Sequence, residues 1–365
     1  MRDLRFRSKT RKPQNYDLCL NAMIGIIFAK SICIYQYEFS VEDFMRFDLD
    51  VLKIDPAKEL ERLSKFIVEQ LRVVFRRKGI VVGLSGGIDS ACIAAVAVRA
   101  IGKDKVVGLI LPEKESNPIS SEYAMKHAQA LAIEHRQIDI TQTVDSVFPY
   151  KCRDEFLQGR IPEYKPGYKF NITLPTDLLD RDAISFYCLQ VQMPDGEIKQ
   201  TRLNLDEFFT ITSFANIKIR ARMLHLYAEA ERRRLLVIGT TNRTEYILGD
   251  FCKYGDGGTD IEPFTHLYKN QIYQIAEYLD VIPEIIKRQP SPDTFSLPVS
   301  DQEFFFRISF DKLDYLLYGW EHDEPLHKVA ELLNISEDAV KRAFKDFSSK
   351  YRATSHLREG PHTLV

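Results

Sequence analysis

GIVVGLSGGIDSACIAAVAVRAIG, residues 79–102, decides the fold. Its first six residues form a short continuous apolar run closed by a turn, the pattern of a strand covered on both faces. The run after Ser90 repeats at helical spacing. VVGLILP (106–112) is a second buried run, so strand, helix and strand follow one another as a βαβ unit. The alternation continues outward. Ser120 to Ala132 reads as a helix, HRQIDI (135–140) as a third strand, and Thr141 onward as another helix. Farther on, ANIKIRARMLHLYAEAERRR (215–234) reads as a helix and LLVIGTT (235–241) as a buried strand. Strands alternating with helices predict an α/β fold, a doubly wound parallel sheet whose ligands bind at the carboxyl ends of the strands. SGGIDS (85–90) and TTNRTE (240–245) both begin at such ends.

The flanks differ in texture. From Ile54 to Arg76 apolar residues recur at helical spacing, predicting one helix on the core. Residues 158–212 read as an inserted subdomain, in which CLQVQM (188–193) and IKQTRLNL (198–205) alternate around the turn PDG, as in a β-hairpin. The chain is expected to be helical from Asp301, with two amphipathic helices within 323–352 joined at NIS and Ser336 as N-cap. These divide the chain into an extension (1–44), an α/β domain (45–320) and a C-terminal helical region (321–365).

With 365 residues, 45% apolar and 28% charged, the chain has a globular composition, and its net charge of −2 offers no global attraction to nucleic acid or to an anionic membrane. Its six cysteines (19, 33, 92, 152, 188 and 252) show no CxxC pair and no zinc-type spacing, which predicts free thiols in a cytoplasm. MRDLRFRSKTRK followed by LCLNAMIGIIFAKSICIY has the outline of a signal or anchor segment, but Asn21 and Lys30 interrupt the apolar run. Residues 1–44 are expected to be dispensable, with the working chain beginning near Met45.

The chemistry starts at SGGIDS. A turn between a buried strand and a helix points backbone N–H groups and the positive end of the helix dipole at whatever fills it, which favours a phosphate. Gly86 and Gly87 would let the main chain approach an anion, Ser85 and Ser90 add hydroxyl donors, and Asp89 adds a carboxylate for Mg²⁺. The loop lacks the lysine of a Walker loop. The competing explanation is a glycine-rich turn with no ligand.

The hexapeptide resembles the pyrophosphate-gripping loop of the N-type ATP pyrophosphatases, whose sheets are Rossmann-like. Within that superfamily, residues 45–320 are similar to the NAD synthetase family. NIKIRARMLHLY (216–227) resembles its Asn-(Ile/Val)-Lys-x-Arg-x-Arg-Met helix, VIGTTNRTE (237–245) its VxGTxNxxE strand and turn, and FCKYGDGGTDIEP (251–263) its FTKYGDGGxDxxP loop. Four motifs stand in the family's order.

That resemblance implies site residues. ATP is expected to meet Ser85, Gly86, Gly87, Asp89, Ser90, Arg222, Thr240, Lys269 and Ser291. Deamido-NAD is expected at Asn216, Arg220, Lys253 and Asp260, and Mg²⁺ at Asp89 and Glu245. Asp256 is the candidate for holding ammonium and taking its proton, with Lys269 and Ser291 neutralising the leaving pyrophosphate. Bland readings stand beside these: surface ion pairs for Arg220 and Arg222, a helix cap for Glu245, a solvated turn for 253–260.

The implied reaction is the amidation of deamido-NAD to NAD through an adenylated carboxylate, with release of AMP and pyrophosphate. The roughly eighty residues before SGGIDS fall short of a glutaminase domain, so free ammonia, or ammonia from a separate protein, is the expected nitrogen source. A homodimer is expected from the resemblance. Cys252 stands where the family has Thr, Ser-Pro-Asp-Thr (291–294) replaces Thr-Ala-Asp-Leu, and SHLREGP (355–361) matches a basic HKRxPP-like tail only loosely. A rival is a paralogue amidating a different carboxylate. Another is a helix-turn-helix DNA reader at 325–352 using Lys341, Arg342 and Lys345.

Overall fold

The computed structural model describes residues 47–181 and 186–364. The readings placed on residues 1–44, on Met45, and on Cys19 and Cys33 lie outside the described residues. Asp55 caps the first helix, α1 (Pro56–Glu69), by accepting from the amides of Ala57 and Lys58. The helix then widens into a π-helical turn at Gln70–Val74, so the single helix expected over 54–76 has two parts.

β1 (Gly79–Gly83), α2 (Ile88–Ile101), β2 (Val106–Ile110), α3 (Pro118–Ala130) and β3 (Glu134–Gln137) follow, then α4 (Thr141–Val147) and α5 (Tyr150–Arg160). The next elements are β4 (Lys169–Thr173), β5 (Cys188–Gln192), β6 (Ile198–Arg202), the long α6 (Leu205–Arg233) and β7 (Leu235–Val237). The remainder is helical: α7 (Arg243–Leu248), α8 (Lys269–Tyr278), α9 (Pro283–Ile286), α10 (Phe310–Glu321), α11 (Leu326–Leu333), α12 (Glu337–Ala353) and α13 (Ser355–Arg358).

The expected doubly wound sheet is present. Its order is β3-β2-β1-β7 with every pair parallel, Ile80 standing opposite both Val106 and Leu236. Because side chains alternate across a strand, β1 faces two cores. Ile80 and Val82 pack with α1, α2 and α8 through Leu63, Ile93 and Ile272. Val81 packs on the other side with α4 and α6 through Val144, Phe214 and Leu226. The chain leaves β1 toward β2 on one side and meets β7 on the other, so a crevice opens at the carboxyl ends where the winding reverses.

The predicted hairpin is found as β5 and β6, with Leu189 opposite Thr201. The sequence reading missed two features here. β4 adds a third antiparallel strand on β5, and α6 begins at Leu205, ten residues before the predicted start at Ala215. The signal for the second was present: Asn204 Oδ1 accepts from the Glu207 amide while Glu207 Oε2 accepts from the Asn204 amide, a capping box. The second alternating run therefore ends at Arg202, and LNL, read as strand, opens the helix.

In the C-terminal part Ser336 caps α12 through the amide of Ala339, as expected. α10, α11 and α12 share a core of Leu316, Val329, Val340 and Phe347, which also takes in Leu178, Leu248 and Tyr268. Arg342, one of the three basic residues of the DNA-reader reading, is turned onto the carbonyls of Leu178 and Leu179. Cys92, Cys152, Cys188 and Cys252 are free thiols. Among the described residues, no helix is long and apolar enough to cross a membrane.

Candidate active site

A cavity of about 1040 Å³ opens at the crevice. Its floor is the SGGIDS turn. Gly87 is the extended N-cap of α2 and no side chain caps that helix, so the first amides of α2 remain free to meet a ligand. The hydroxyls shape the turn instead: Ser85 Oγ lies 3.0 Å from Ser90 Oγ and accepts from the Gly87 amide at 3.2 Å, and Ser90 Oγ donates to the Gly87 carbonyl at 3.0 Å. Gly86 has φ +75°, and a Cβ there would lie 2.2 Å from the Ser120 carbonyl oxygen. Its glycine is required by α3 behind the loop, and it does not line the cavity.

Asp89, in the first turn of α2, faces α7 and α8. Its Oδ2 accepts from Lys269 Nζ and its Oδ1 from Asn242 Nδ2 at 3.1 Å. Lys269 Nζ is also 3.4 Å from Glu245 Oε1. Burial alone would lower Lys269, but Asp89, Glu245 and Asp301 hold it well above the ordinary lysine value. Glu245 also caps α7, its Oε2 accepting from the Asn242 amide at 3.2 Å. Capping and the approach to Lys269 are thus carried by different oxygens of one carboxylate. Burial raises Glu245 well above its usual range, opposed by Lys269.

α6 supplies the opposite wall. Arg222 Nε donates to the Leu111 carbonyl at 3.1 Å, and Arg220 Nε to the Lys253 carbonyl at 3.2 Å. The ion-pair reading of these two arginines is not what the structure shows, since each guanidinium binds a backbone carbonyl. Asn216, Thr240, Ser291 and Lys253 also line the cavity, Lys253 Nζ donating to the His356 carbonyl at 2.6 Å. Asp256 lines it from the glycine-rich loop, with Oδ1 accepting from the amides of Cys252 at 2.7 Å and Gly257 at 3.2 Å. Burial raises Asp256 despite those amides.

Asp260 is not brought to the cavity. Its Oδ2 accepts from the Val237 amide at 2.8 Å and its Oδ1 from Tyr227 Oη at 3.1 Å, so it braces β7 against α6.

The structure adds residues that the sequence reading did not reach. Arg288 lies beside the floor loop, donating to the Gly86 carbonyl at 3.2 Å and to Ser120 Oγ at 2.8 Å. Asp250 and Asp301 also line the cavity. Burial and then Asp301 and Asp256 push Asp250 up to about 8, while burial raises Asp301 to about 6 against the pull of Lys269. Asp250 lies six residues before Asp256, directly ahead of the FCKYGDGGTDIEP stretch. Arg288 stands three residues before Ser291, in a stretch already marked by that residue, whereas Asp301 has no local signal.

The model of the NAD synthase family matches residues 59–160 and 182–361, leaving 161–181, which include β4, outside the match. The chain is 37% identical over 311 residues to the NH3-dependent NAD(+) synthetase of Mesorhizobium japonicum, covering 85% of this chain and 97% of that one. It is 34% identical over 286 residues to the NH3-dependent NAD(+) synthetase of Thermotoga maritima, covering 76% and 95%. The fold is shared with two solved structures. One is the NMN synthetase of Francisella tularensis, with a TM-score of 0.60 at 22% identity over 85% of this chain and 99% of that one. The other is the NH3-dependent NAD synthetase of Campylobacter jejuni, with a TM-score of 0.56 at 24% identity over 86% and 100%. A parallel sheet with its cavity at the winding reversal, four family motifs folded around that cavity, and relatives matched almost end to end place this chain in the NAD synthase family.

Proposed function

We propose that the protein is a carbon–nitrogen ligase that converts deamido-NAD to NAD, using ATP to activate the carboxylate and ammonia as the nitrogen donor. One observation carries the reading: Asp89, Glu245, Lys269 and the loop bearing Asp256 line a single cavity above the free helix end of SGGIDS. The names of the relatives support the acceptor and the nitrogen source.

In the first step the nicotinate carboxylate oxygen attacks the α-phosphorus of ATP, the bond to the β-phosphate oxygen breaks, and pyrophosphate leaves. Two anions must be held together for this. The free amides of α2, with Lys269, Arg288 and Ser291 around them, offset that repulsion and the charge gathering on pyrophosphate. In the second step ammonia attacks the adenylated carbonyl, the carbon–oxygen bond to AMP breaks, and AMP departs with the electron pair. Asp256 has Oδ2 free to hold ammonium and, with its affinity for a proton raised by burial, takes the proton.

Asp89 and Glu245 suit Mg²⁺: two carboxylates already share one cation, Lys269 Nζ, and Mg²⁺ takes one or two carboxylates together with phosphate oxygens. Bound there, Mg²⁺ would screen the phosphates. Lys253 and Arg220, linked through the Lys253 carbonyl, together with Asn216 form the acceptor side of the site. We take the enzyme to act as a homodimer in the cytoplasm on free ammonia, or on ammonia released by a separate protein.

The test is turnover of deamido-NAD with MgATP and ammonium chloride, following NAD, AMP and pyrophosphate by mass spectrometry. ADP as the nucleotide product, or glutamine serving as well as ammonium, would overturn the reading.

A further inference from the structure

The last described helix reaches back to the loop that carries Asp256. Gly249, just past α7, has φ +82°, and a Cβ there would lie 2.3 Å from the Cβ and Oγ1 of Thr354. Arg358 converges on the same place. Its Nη1 donates to the carbonyls of Tyr246 at 3.1 Å and Ile247 at 3.3 Å and to Thr354 Oγ1 at 3.1 Å. Its Nη2 donates to the Tyr351 carbonyl, and the guanidinium lies 4.3 Å from the centre of the Tyr351 ring.

None of those acceptors is a carboxylate. The last carbonyls of a helix lack partners within it and mark the negative end of its dipole, so a cation delivered there from elsewhere in the chain caps the helix. A third contact lies beyond, where Lys253 Nζ donates to the His356 carbonyl at 2.6 Å. Between these points Tyr246 and Phe251 stack with ring centres 6.0 Å apart. The amide of Cys252, the next residue, then holds Asp256 Oδ1. From Tyr246 to Asp256 the chain is thus a short path anchored at three points by residues 354–358.

We propose that Arg358 is a positioning residue for the amide-forming step: by capping α7 across the fold it fixes where the 251–258 loop, and so Asp256, stands against the acyl carbonyl. This rests on the proton-accepting role given to Asp256 above. The floor loop lies on α2, away from these anchors, and Glu245, at the near end of α7, is held from its own side by the Asn242 amide and Lys269, so the adenylating step depends on them far less.

The full chain with Arg358→Ala is compared with wild type in two half-reactions. Amide formation is expected to lose about tenfold in kcat with a raised KM for ammonium, since small misplacements of a reacting group cost rate steeply. Exchange of labelled pyrophosphate into ATP, with deamido-NAD and no ammonium, should stay within about twofold. Arg358→Lys should return part of the loss. Hydrogen exchange of residues 250–257 should rise about tenfold with the global unfolding midpoint unchanged. Equal losses in both half-reactions, or unchanged loop exchange, would overturn the proposal. Arg358→Gln carries the same comparison if the alanine variant does not accumulate. If wild type makes no NAD, the proposed function fails, and loop exchange alone still judges the clamp.

Discussion

Two lysines in this molecule each bridge a pair of carboxylates, and they do opposite work. Lys218, on α6, donates to Glu113 Oε1 and Glu115 Oε2, both at 2.9 Å, and to the Thr294 carbonyl at 3.1 Å. It is fully buried, and the network runs on through Arg153 to Asp154 and Tyr164. Lys269 bridges Asp89 and Glu245 in the same way, but on the wall of the cavity. The first cluster has every cation and acid committed within the protein, and it ties the loop after β2 to α5 and α6. The second holds two carboxylates ready for a ligand. Identical chemistry becomes scaffold or site according to whether solvent and substrate can reach it.

The comparison breaks most visibly at the sealed pair. Lys218→Met leaves buried Glu113 without its cation and Glu115 with Arg153 alone, and should cost about 3–5 kcal/mol of stability, the usual penalty for orphaning a buried charge. Urea unfolding checks it; a loss below about 1 kcal/mol would mean that the cluster is not scaffold. At the open pair the cost should fall on rate. Asp89→Asn is expected to slow pyrophosphate release by about a hundred- to thousand-fold, in the range for removing one preorganised charge, with little change in melting temperature.

Mg²⁺ sharpens the contrast further. Added without nucleotide, it should stabilise the wild-type fold by mass action, by up to about 2.7 kcal/mol at a hundred times its Kd. The effect should vanish in Asp89→Asn and persist in a Lys218 variant that still folds; a thermal shift assay reads both.

The smallest effect concerns pH. Glu262, below the cavity, accepts from the Thr241 amide and from Thr259 Oγ1, yet burial pushes it up to about 8 from an ordinary 4.5. Between those values the folded state holds a proton that the unfolded chain has released. This stabilising contribution is therefore complete below about 4.5 and is lost as pH rises through 8. The melting temperature should fall between pH 6 and 8.5, and Glu262→Gln should flatten that fall by roughly 2–4 °C. An unchanged slope would remove Glu262 from the account.

The sheet, its direction and the loop at its carboxyl edge were legible because apolar runs and helical spacing are local properties of the chain. So was the cavity wall, where thirteen of the fifteen predicted site residues stand. Gly86 and Asp260 stand off the cavity for a shared reason: a motif names a residue type, whereas the neighbour that claims it arrives from a distant segment. Ser120 from α3 packs against Gly86, and Tyr227 from α6 takes Asp260. The start of α6 was missed despite a readable capping box, because strand alternation was allowed to run through it.

By itself the sequence determined the α/β class, the turn that opens α2 and the order of the motifs, since periodicity and turn chemistry act over a few residues. Only the tertiary structure decided which buried lysine is sealed and which faces the cavity, that Arg288 stands beside the floor loop, and that Arg358 caps a helix more than a hundred residues away. Those are long-range contacts. A side chain's partner across the fold is set by how the layers pack, and nothing in the residues around it records that choice.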